Sequence, residues 1–329
     1  MIILENIWSF ISKKFESNQS VVLFVVVKTQ GSTPGRLGFK MVIARDSSQF
    51  GTIGGGVMEL NFVKKAHQLL INNESGFIFK VQIHHAYAPK EQHSGLICSG
   101  EERIIYGILA PSQENKLICQ EIQNESEKSR KLQISPSTIN IITSNETTKE
   151  ENRYNFHFKS ETDWLFEEDI NYKNFLYIFG SGHVGLSMSK IFSMLDFYVI
   201  IIDNRKDVAT LRDNSFANKI ITDDYSNAGK YIHEGNSTYI AVVTTSMIMD
   251  VEALTSCIQK NVRYIGVMGS KSKKNEIYTR LRKIGISEEL INKIQCPIGI
   301  NGLKSNTAEE IAISVAAQVI MIKNTFNLA

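Results

Sequence analysis

Residues 175–203 read FLYIFGSGHVGLSMSKIFSMLDFYVIIID, an order of residues that few folds can accommodate. An apolar run, Phe175–Phe179, leads into Gly180-Ser181-Gly182-His183-Val184-Gly185. Val184, Met188, Ile191 and Leu195 then recur at helical spacing, and a second apolar run ends at Asp203, 23 residues after Gly180. The glycine string alone is common. A strand before it, a helix opening within it and an acid at the tip of the next strand together make the dinucleotide-binding arrangement. Gly180 permits the turn, Gly182 lets a phosphate approach the backbone, and Gly185 lets helix pack on sheet. Free N–H groups at the helix start favour an anion. A Rossmann-like scaffold with a loop that binds nothing would carry the same string. Asp203 suits a ribose diol, but Arg205 just beyond it suits a phosphate equally, so no particular nucleotide follows. His183 occupies a variable position, either facing a ligand on the loop or bonding to the helix start.

The same alternation continues to the end of the chain. Strands are expected at Ile220–Thr222, Tyr239–Thr244 and Tyr264–Val267, and helices at Asp250–Lys260, Lys273–Lys283 and Ser287–Ile294. Thr307-Ala308-Glu309-Glu310 is a capping box that opens a last helix, apolar nearly all round through Ile322, which predicts its burial. Strand and helix in alternation imply a parallel sheet covered on both faces. The expectation is a Rossmann-type α/β domain over residues 169–329.

At 329 residues the chain exceeds what one core usually holds, so a second domain is expected over residues 1–168. Its texture is mixed α+β. Ile7, Trp8, Ile11 and Phe15 follow Leu4 at helical spacing, and Val21–Lys28 is an apolar run of the buried-strand kind. Further strands are expected at Phe39–Arg45, Phe77–Ile83 and Arg103–Leu109, with Phe50–Ile53 extended. A helix after the glycines should turn Val57, Leu60, Val63 and Leu70 inward. Residues 111–168 are rich in Asn, Ser, Glu, Lys and Thr and read as a connecting stretch, with a hairpin of Ile139–Thr143 on Tyr154–Phe158.

Two features of this half carry chemistry. Gly54-Gly55-Gly56-Val57-Met58-Glu59 leads into a helix, and its backbone amides can form an anion nest or simply a tight turn. Glu59 in the first turn favours the helix dipole, which is reason enough for it. Cys98 lies in the glycine- and serine-flanked loop Ser94–Gly100. A loop thiol can bind a soft metal or carry sulfur when its pKa is lowered, and otherwise it is an inert packing residue. His84, His85 and His93 fit no metal-ligand spacing.

A net charge of +2 gives no footprint for nucleic acid or an anionic membrane. The start lacks a basic segment before an apolar core, and no apolar run reaches the roughly 18 residues of a span. Cys98, Cys119, Cys257 and Cys296 are scattered without Cys-x-x-Cys, so free thiols and a cytoplasmic location are expected.

With these residues placed, the chain resembles the xanthine dehydrogenase accessory factor family of the XdhC/CoxI type. VVVKTQGSTPGRLGFKMVI, GTIGGGVMEL, LICSGEE, YIFGSGHVG, IIDNR, YIGVMGSKSKK, PIGI and TAEEIAIS carry the likeness, in the family's order. The resemblance implies a factor that binds the molybdenum cofactor (molybdopterin), supports its sulfuration and inserts it into a molybdenum hydroxylase apoenzyme. A cysteine desulfurase as further partner and a homodimer are also implied. By position it points to Cys98 as sulfur or metal ligand. For cofactor binding it points to Gly54, Gly55, Gly56, Glu59, Gly180, Gly182, His183, Gly185, Asp203, Arg205, Gly269, Ser270 and Lys271. Ser99 stands where the family more often has glycine, Met247 where a histidine is expected, and Ile300-Asn301-Gly302 departs from the usual pattern. Two other readings are an NAD(P)-dependent oxidoreductase, which leaves the front motifs unassigned and lacks a placed acid–base group, and a nucleotide-sensing regulator.

Overall fold

A computed structural model gives the fold and describes residues 6–72, 76–83, 99–124, 129–144 and 153–325. The chain divides into two compact units, Met1–Tyr172 and Lys173–Ala329.

The amino-terminal unit opens with α1 (Ile7–Glu16), β1 (Val21–Gln30), β2 (Lys40–Ala44), β3 (Gln49–Gly51) and α2 (Gly56–Asn72). β4 (Phe77–Ile83), β5 (Glu101–Leu109) and α3 (Gln113–Gln123) follow. The five strands form an antiparallel sheet in the order β3-β2-β1-β5-β4. β1 explains its own sequence. Val21, Leu23, Val25 and Val27 join one core with Trp8, Ile11 and Phe15 of α1, while Val22, Phe24 and Val26 join another with Met58, Phe62 and Ala66 of α2. A strand covered on both faces needs no polar alternation. α2 sits rotated from the expected setting: Met58, Phe62, Ala66, Leu69 and Leu70 face inward, and Val57 and Leu60 are exposed.

The polar stretch is not a connection. After α3 it forms β6 (Ser129–Ile134), β7 (Ile139–Ser144), β8 (Tyr154–Ser160) and β9 (Asp163–Asp169), an antiparallel sheet in the order β7-β6-β9-β8. The expected hairpin of β7 on β8 does not form, because these two strands are opposite edges. β6 and β9 alternate strictly in burial, and Leu132, Ile134, Trp164 and Phe166 belong to the core that holds α1. One-sided strands bring many polar residues with them, which made the segment look like a linker.

The carboxyl-terminal unit contains β10 (Asn174–Phe179), α4 (His183–Met194), β11 (Phe197–Asp203), α5 (Ala209–Arg212), β12 (Lys219–Thr222) and β13 (Gly235–Val242). α6 (Met247–Cys257), β14 (Val262–Val267), α7 (Lys271–Lys283), α8 (Glu288–Asn292), β15 (Ile294–Gln295) and α9 (Ala308–Thr325) complete it. All six strands are parallel, in the order β12-β11-β10-β13-β14-β15, which is the expected Rossmann-type sheet. Leu176 and Ile178 of β10 pack with α4 and α9, while Tyr177 and Phe179 face the layer of α6, α7 and α8. The order reverses between β10 and β13, so the loops after those strands part at the carboxyl edge, where such sheets take ligands. α9 departs from expectation. Ala312, Val315, Ala316 and Val319 are buried, but Ile313 and Met321 are exposed, so the helix covers the sheet with one face only.

Phe166 is fully buried in the shared core. Phe166→Ala should therefore cost about 3–5 kcal/mol in urea unfolding. A cost below about 1 kcal/mol, the level of a surface change, would return residues 129–169 to the status of a linker.

Candidate functional site

The glycine loop follows the end of β10. Gly180 has φ +110°, and a Cβ there would lie 2.6 Å from the Val243 carbonyl oxygen. A Cβ on Gly185 would lie 2.1 Å from the Gly180 carbonyl oxygen, so this glycine lets α4 close on the strand. Gly182 is different: φ is −62°, and a Cβ would meet nothing within 4 Å. It stands at the N-cap of α4, and no side chain caps the helix. The first and third glycines are thus required by packing, and the second leaves open space before uncapped N–H groups, which fits a phosphate. His183 is exposed on the first turn, and its side chain makes no hydrogen bond with the described residues.

Asp203, at the tip of β11, is fully buried. Its Oδ2 accepts the Ser181 N–H and hydroxyl, both at 2.7 Å, and Arg205 Nη2 at 2.8 Å. Its Oδ1 accepts Arg205 N–H at 3.0 Å and Nε at 2.9 Å. Burial alone would raise this carboxyl, but the Arg205 guanidinium and the Ser181 donors outweigh it and hold the pKa at about 2. Five donors from the chain itself leave no acceptor for a ribose diol. Asp203 therefore does not fit the reading of a ribose in this arrangement, and the partly exposed Arg205 guanidinium is what it presents.

Gly269, Ser270 and Lys271 follow β14, two strands from β10 along the sheet. Ser270 caps α7, accepting the Lys273 N–H at 3.2 Å. Lys273 Nζ lies 2.5 Å from Asp250 Oδ2 and donates to the Met268 carbonyl at 3.0 Å, while Thr244 donates to Asp250 Oδ1 at 2.6 Å. Burial raises the Asp250 carboxyl against the opposing pull of Lys273 and Thr244. This network ties β13, α6 and α7 together, and sequence reading missed it. Its one signal was an acid on the otherwise apolar inner face of α6. Met247, where a histidine was expected, packs against the apolar core.

In the amino-terminal unit three motif segments meet. Glu102 is buried and its Oε1 accepts the Gly35 N–H at 2.6 Å. A Cβ on Gly54 would lie 2.7 Å from Gly35 N, and one on Gly31 would lie 3.1 Å from the Ser99 carbonyl oxygen. Glycine is what allows these backbones to touch. Gly54, Gly55 and Gly56 all have positive φ. The nest they help form is engaged by the chain's own carboxylate, because Glu59 Oε2 accepts Thr52 Oγ1 at 2.6 Å, Gly55 N–H at 3.0 Å and Ile53 N–H at 3.1 Å. Cys98, His84, His85 and His93 lie outside the described residues. Ser99, the neighbour of Cys98, is in the packed segment. Glu102 was not singled out from sequence, although two adjacent acids opening an apolar strand were visible there. Burial pushes its carboxyl up to about 6, against the Gly35 amide and Arg36.

The chain matches two family descriptions, "XdhC Rossmann domain" over residues 176–319 and "XdhC and CoxI family" over residues 15–82. It is 26% identical over 152 residues to the uncharacterized protein YqeB of Escherichia coli (strain K12), covering 45% of this chain and 27% of that protein. The chain thus spans about a quarter of the length of that relative. A crystal structure described as a xanthine dehydrogenase from Bacillus halodurans superposes with a TM-score of 0.69 at 18% identity, covering 95% of this chain and 96% of the other. That likeness concerns the fold.

Two measurements test this geometry. Gly182→Ala should leave the thermal midpoint almost unchanged, whereas Gly185→Ala should destabilise by several kcal/mol, on the order of an overpacked core; equal effects would contradict the assigned roles. Glu102 titrates at 4.5 unfolded and about 6 folded. Its contribution to stability is complete below 4.5 and is lost as pH rises through about 6. Across that window unfolding free energy should fall by about 2 kcal/mol. Glu102→Gln, which keeps an acceptor for Gly35, should flatten the profile there, and an unchanged slope would assign it to other groups.

Proposed function

The chain belongs to the XdhC and CoxI family, and we propose that it serves as an accessory factor in maturing a molybdenum hydroxylase of the xanthine dehydrogenase kind. The observation that carries the reading is the convergence of Gly31–Arg36, the Gly54–Gly56 run and Ser99–Glu102, segments far apart in sequence, beside the chain position of Cys98. In this reading the factor holds the molybdenum cofactor, with the open backbone at Gly182 and the uncapped start of α4 suited to its phosphate. When bound, that group supplies the metal–dithiolene centre on which the client's hydroxylation depends. Arg205, held by Asp203, adds a cation beside the loop.

Cys98 is proposed as the sulfur-handling residue. A donor persulfide, such as that of a cysteine desulfurase, would pass its outer sulfur to the Cys98 thiolate and leave as a thiolate itself. Cys119, Cys257 and Cys296 are buried, and burial raises all three thiols, which makes them poor candidates for the same task. The oxidoreductase reading loses one of its supports, since the acid expected to read a ribose is engaged by Ser181 and Arg205, while the glycine loop serves either reading.

Co-expression with a molybdenum hydroxylase tests the proposal. The parent chain should raise the client's activity. Cys98→Ser should keep its thermal midpoint, near-isosteric changes costing less than about 1.5 kcal/mol, and lose most of that activation. Cys119→Ser serves as the control. Full activation by Cys98→Ser, or a loss that only follows thermal stability, would show that this sulfur plays no part.

A further inference from the structure

The loop between β1 and β2, residues Gly31–Phe39, is held at two places. At the first, Glu102 of β5 accepts the Gly35 N–H. The second lies at the end of the loop and is supplied by the β6–β9 sheet. Gly38 has φ +84°, and a Cβ there would lie 2.6 Å from Tyr154 Cε2 and closer still to Cζ and Oη. Without a Cβ, the ring lies flush on the backbone. Tyr154, on β8, is stacked in turn on Phe166, with ring centroids 6.0 Å apart. Phe166 is fully buried, so the tyrosine cannot withdraw from the loop without disturbing that core.

A buried ion pair acts on the same point. Glu168, on β9, is only 5% exposed, and its Oε2 lies 2.7 Å from Lys40 Nζ. Lys40 opens β2, and its Nζ also donates to the Gly38 carbonyl at 3.2 Å. Glu168 Oε1 accepts Arg153 Nη2 at 3.2 Å. Lys40 and Arg153 both stand over the Tyr154 ring, 5.6 and 5.2 Å from its centroid. Acid and ring come together because Tyr154 and Glu168 are opposite each other in the β8–β9 register. Apolar pairs of similar volume are often as stable as a buried ion pair, so what charges add over them is direction. Here the direction is toward the Gly38 carbonyl. The Gly38 N–H donates to the Val26 carbonyl at 2.8 Å and the Phe39 N–H to the Arg36 carbonyl at 2.9 Å, which carries the constraint back into the loop.

We propose that Tyr154, Lys40 and Glu168 are positioning residues, through which the β6–β9 sheet sets the Gly31–Arg36 segment by way of Gly38. The hold on the loop rests on this geometry alone. Its consequence for a client enzyme rests on the accessory-factor reading. A loop that is set only part of the time lowers apparent affinity by that fraction and leaves the assembled complex as competent as before.

Hydrogen–deuterium exchange of the full chain, read beside activation of a molybdenum hydroxylase apoenzyme, tests the proposal. Lys40→Met/Glu168→Leu replaces the ion pair by an apolar pair and should keep the thermal midpoint close to the parent's. Exchange at the Gly38 and Phe39 amides should rise about tenfold or more, while β1 and α2 keep their protection. The concentration of the chain that gives half-maximal activation should rise severalfold, with the plateau unchanged. Lys159→Ala, which breaks only the exposed pair with Asp163 on the same sheet, should change neither readout. If the double variant does not fold, Glu168→Gln, which keeps the shape of the side chain, carries the same comparison. Unchanged exchange at Gly38 and Phe39, or faster exchange throughout the unit with a lower thermal midpoint, overturns the proposal. Faster local exchange with half-maximal activation at the parent's concentration overturns its bearing on the client. Faster local exchange where even the parent activates no client upholds the positioning role and overturns the accessory-factor reading.

Discussion

The ligand face of the carboxyl-terminal unit depends on one buried carboxylate. Asp203 has no exposed surface, and burying an ion uncompensated would be prohibitive. Its five donors come from only two residues, Ser181 in the glycine loop and Arg205 beyond the strand. The charge therefore clamps the loop after β10 to the end of β11 and fixes the direction in which α4 begins. Removing it would free the loop and strand a guanidinium together. The same contact closes the usual route to a ribose and leaves the backbone at Gly182 as the open element.

The amino-terminal unit uses the device twice more. Glu59 and Glu102 are acids whose oxygens collect amides from glycine-rich turns, Gly55 in one case and Gly35 in the other. Glycines let the backbones approach, and internal carboxylates then satisfy the N–H groups exposed by that approach. The loops are consequently set before any ligand arrives, and preorganised polar groups need little rearrangement on binding.

The Rossmann-type sheet was legible because its signals are local. The apolar runs at Phe175 and Phe197, the glycine spacing and the acid at position 203 each follow from neighbouring residues. What escaped reading depends on partners distant in sequence. Ser129–Ile134 and Asp163–Asp169 alternate cleanly, yet only their mutual pairing and the packing of Leu132, Trp164 and Phe166 into the core that also holds α1 turn a polar stretch into a sheet. The rotation of α2 follows from the aromatic cluster of Phe24, Phe62 and Tyr106, whose ring centroids lie 5.4 to 5.8 Å apart. Among candidate site residues, the glycines could be given roles from spacing alone. The saturation of Asp203 could not, because it requires knowing where Ser181 and Arg205 point. Asp250, Thr244 and Lys273 form a network across three elements and left almost no trace in sequence.

Both units thus offer glycine loops held by carboxylates of the chain itself. In the function proposed above, these loops receive and release a phosphorylated group. The most direct measurement is mass spectrometry, under native conditions and after denaturation, of the chain purified from cells that make molybdopterin. The account predicts a molybdopterin-containing species bound in near-stoichiometric amount and released on unfolding. Well-folded protein that carries no pterin, or that carries NAD in its place, would contradict it.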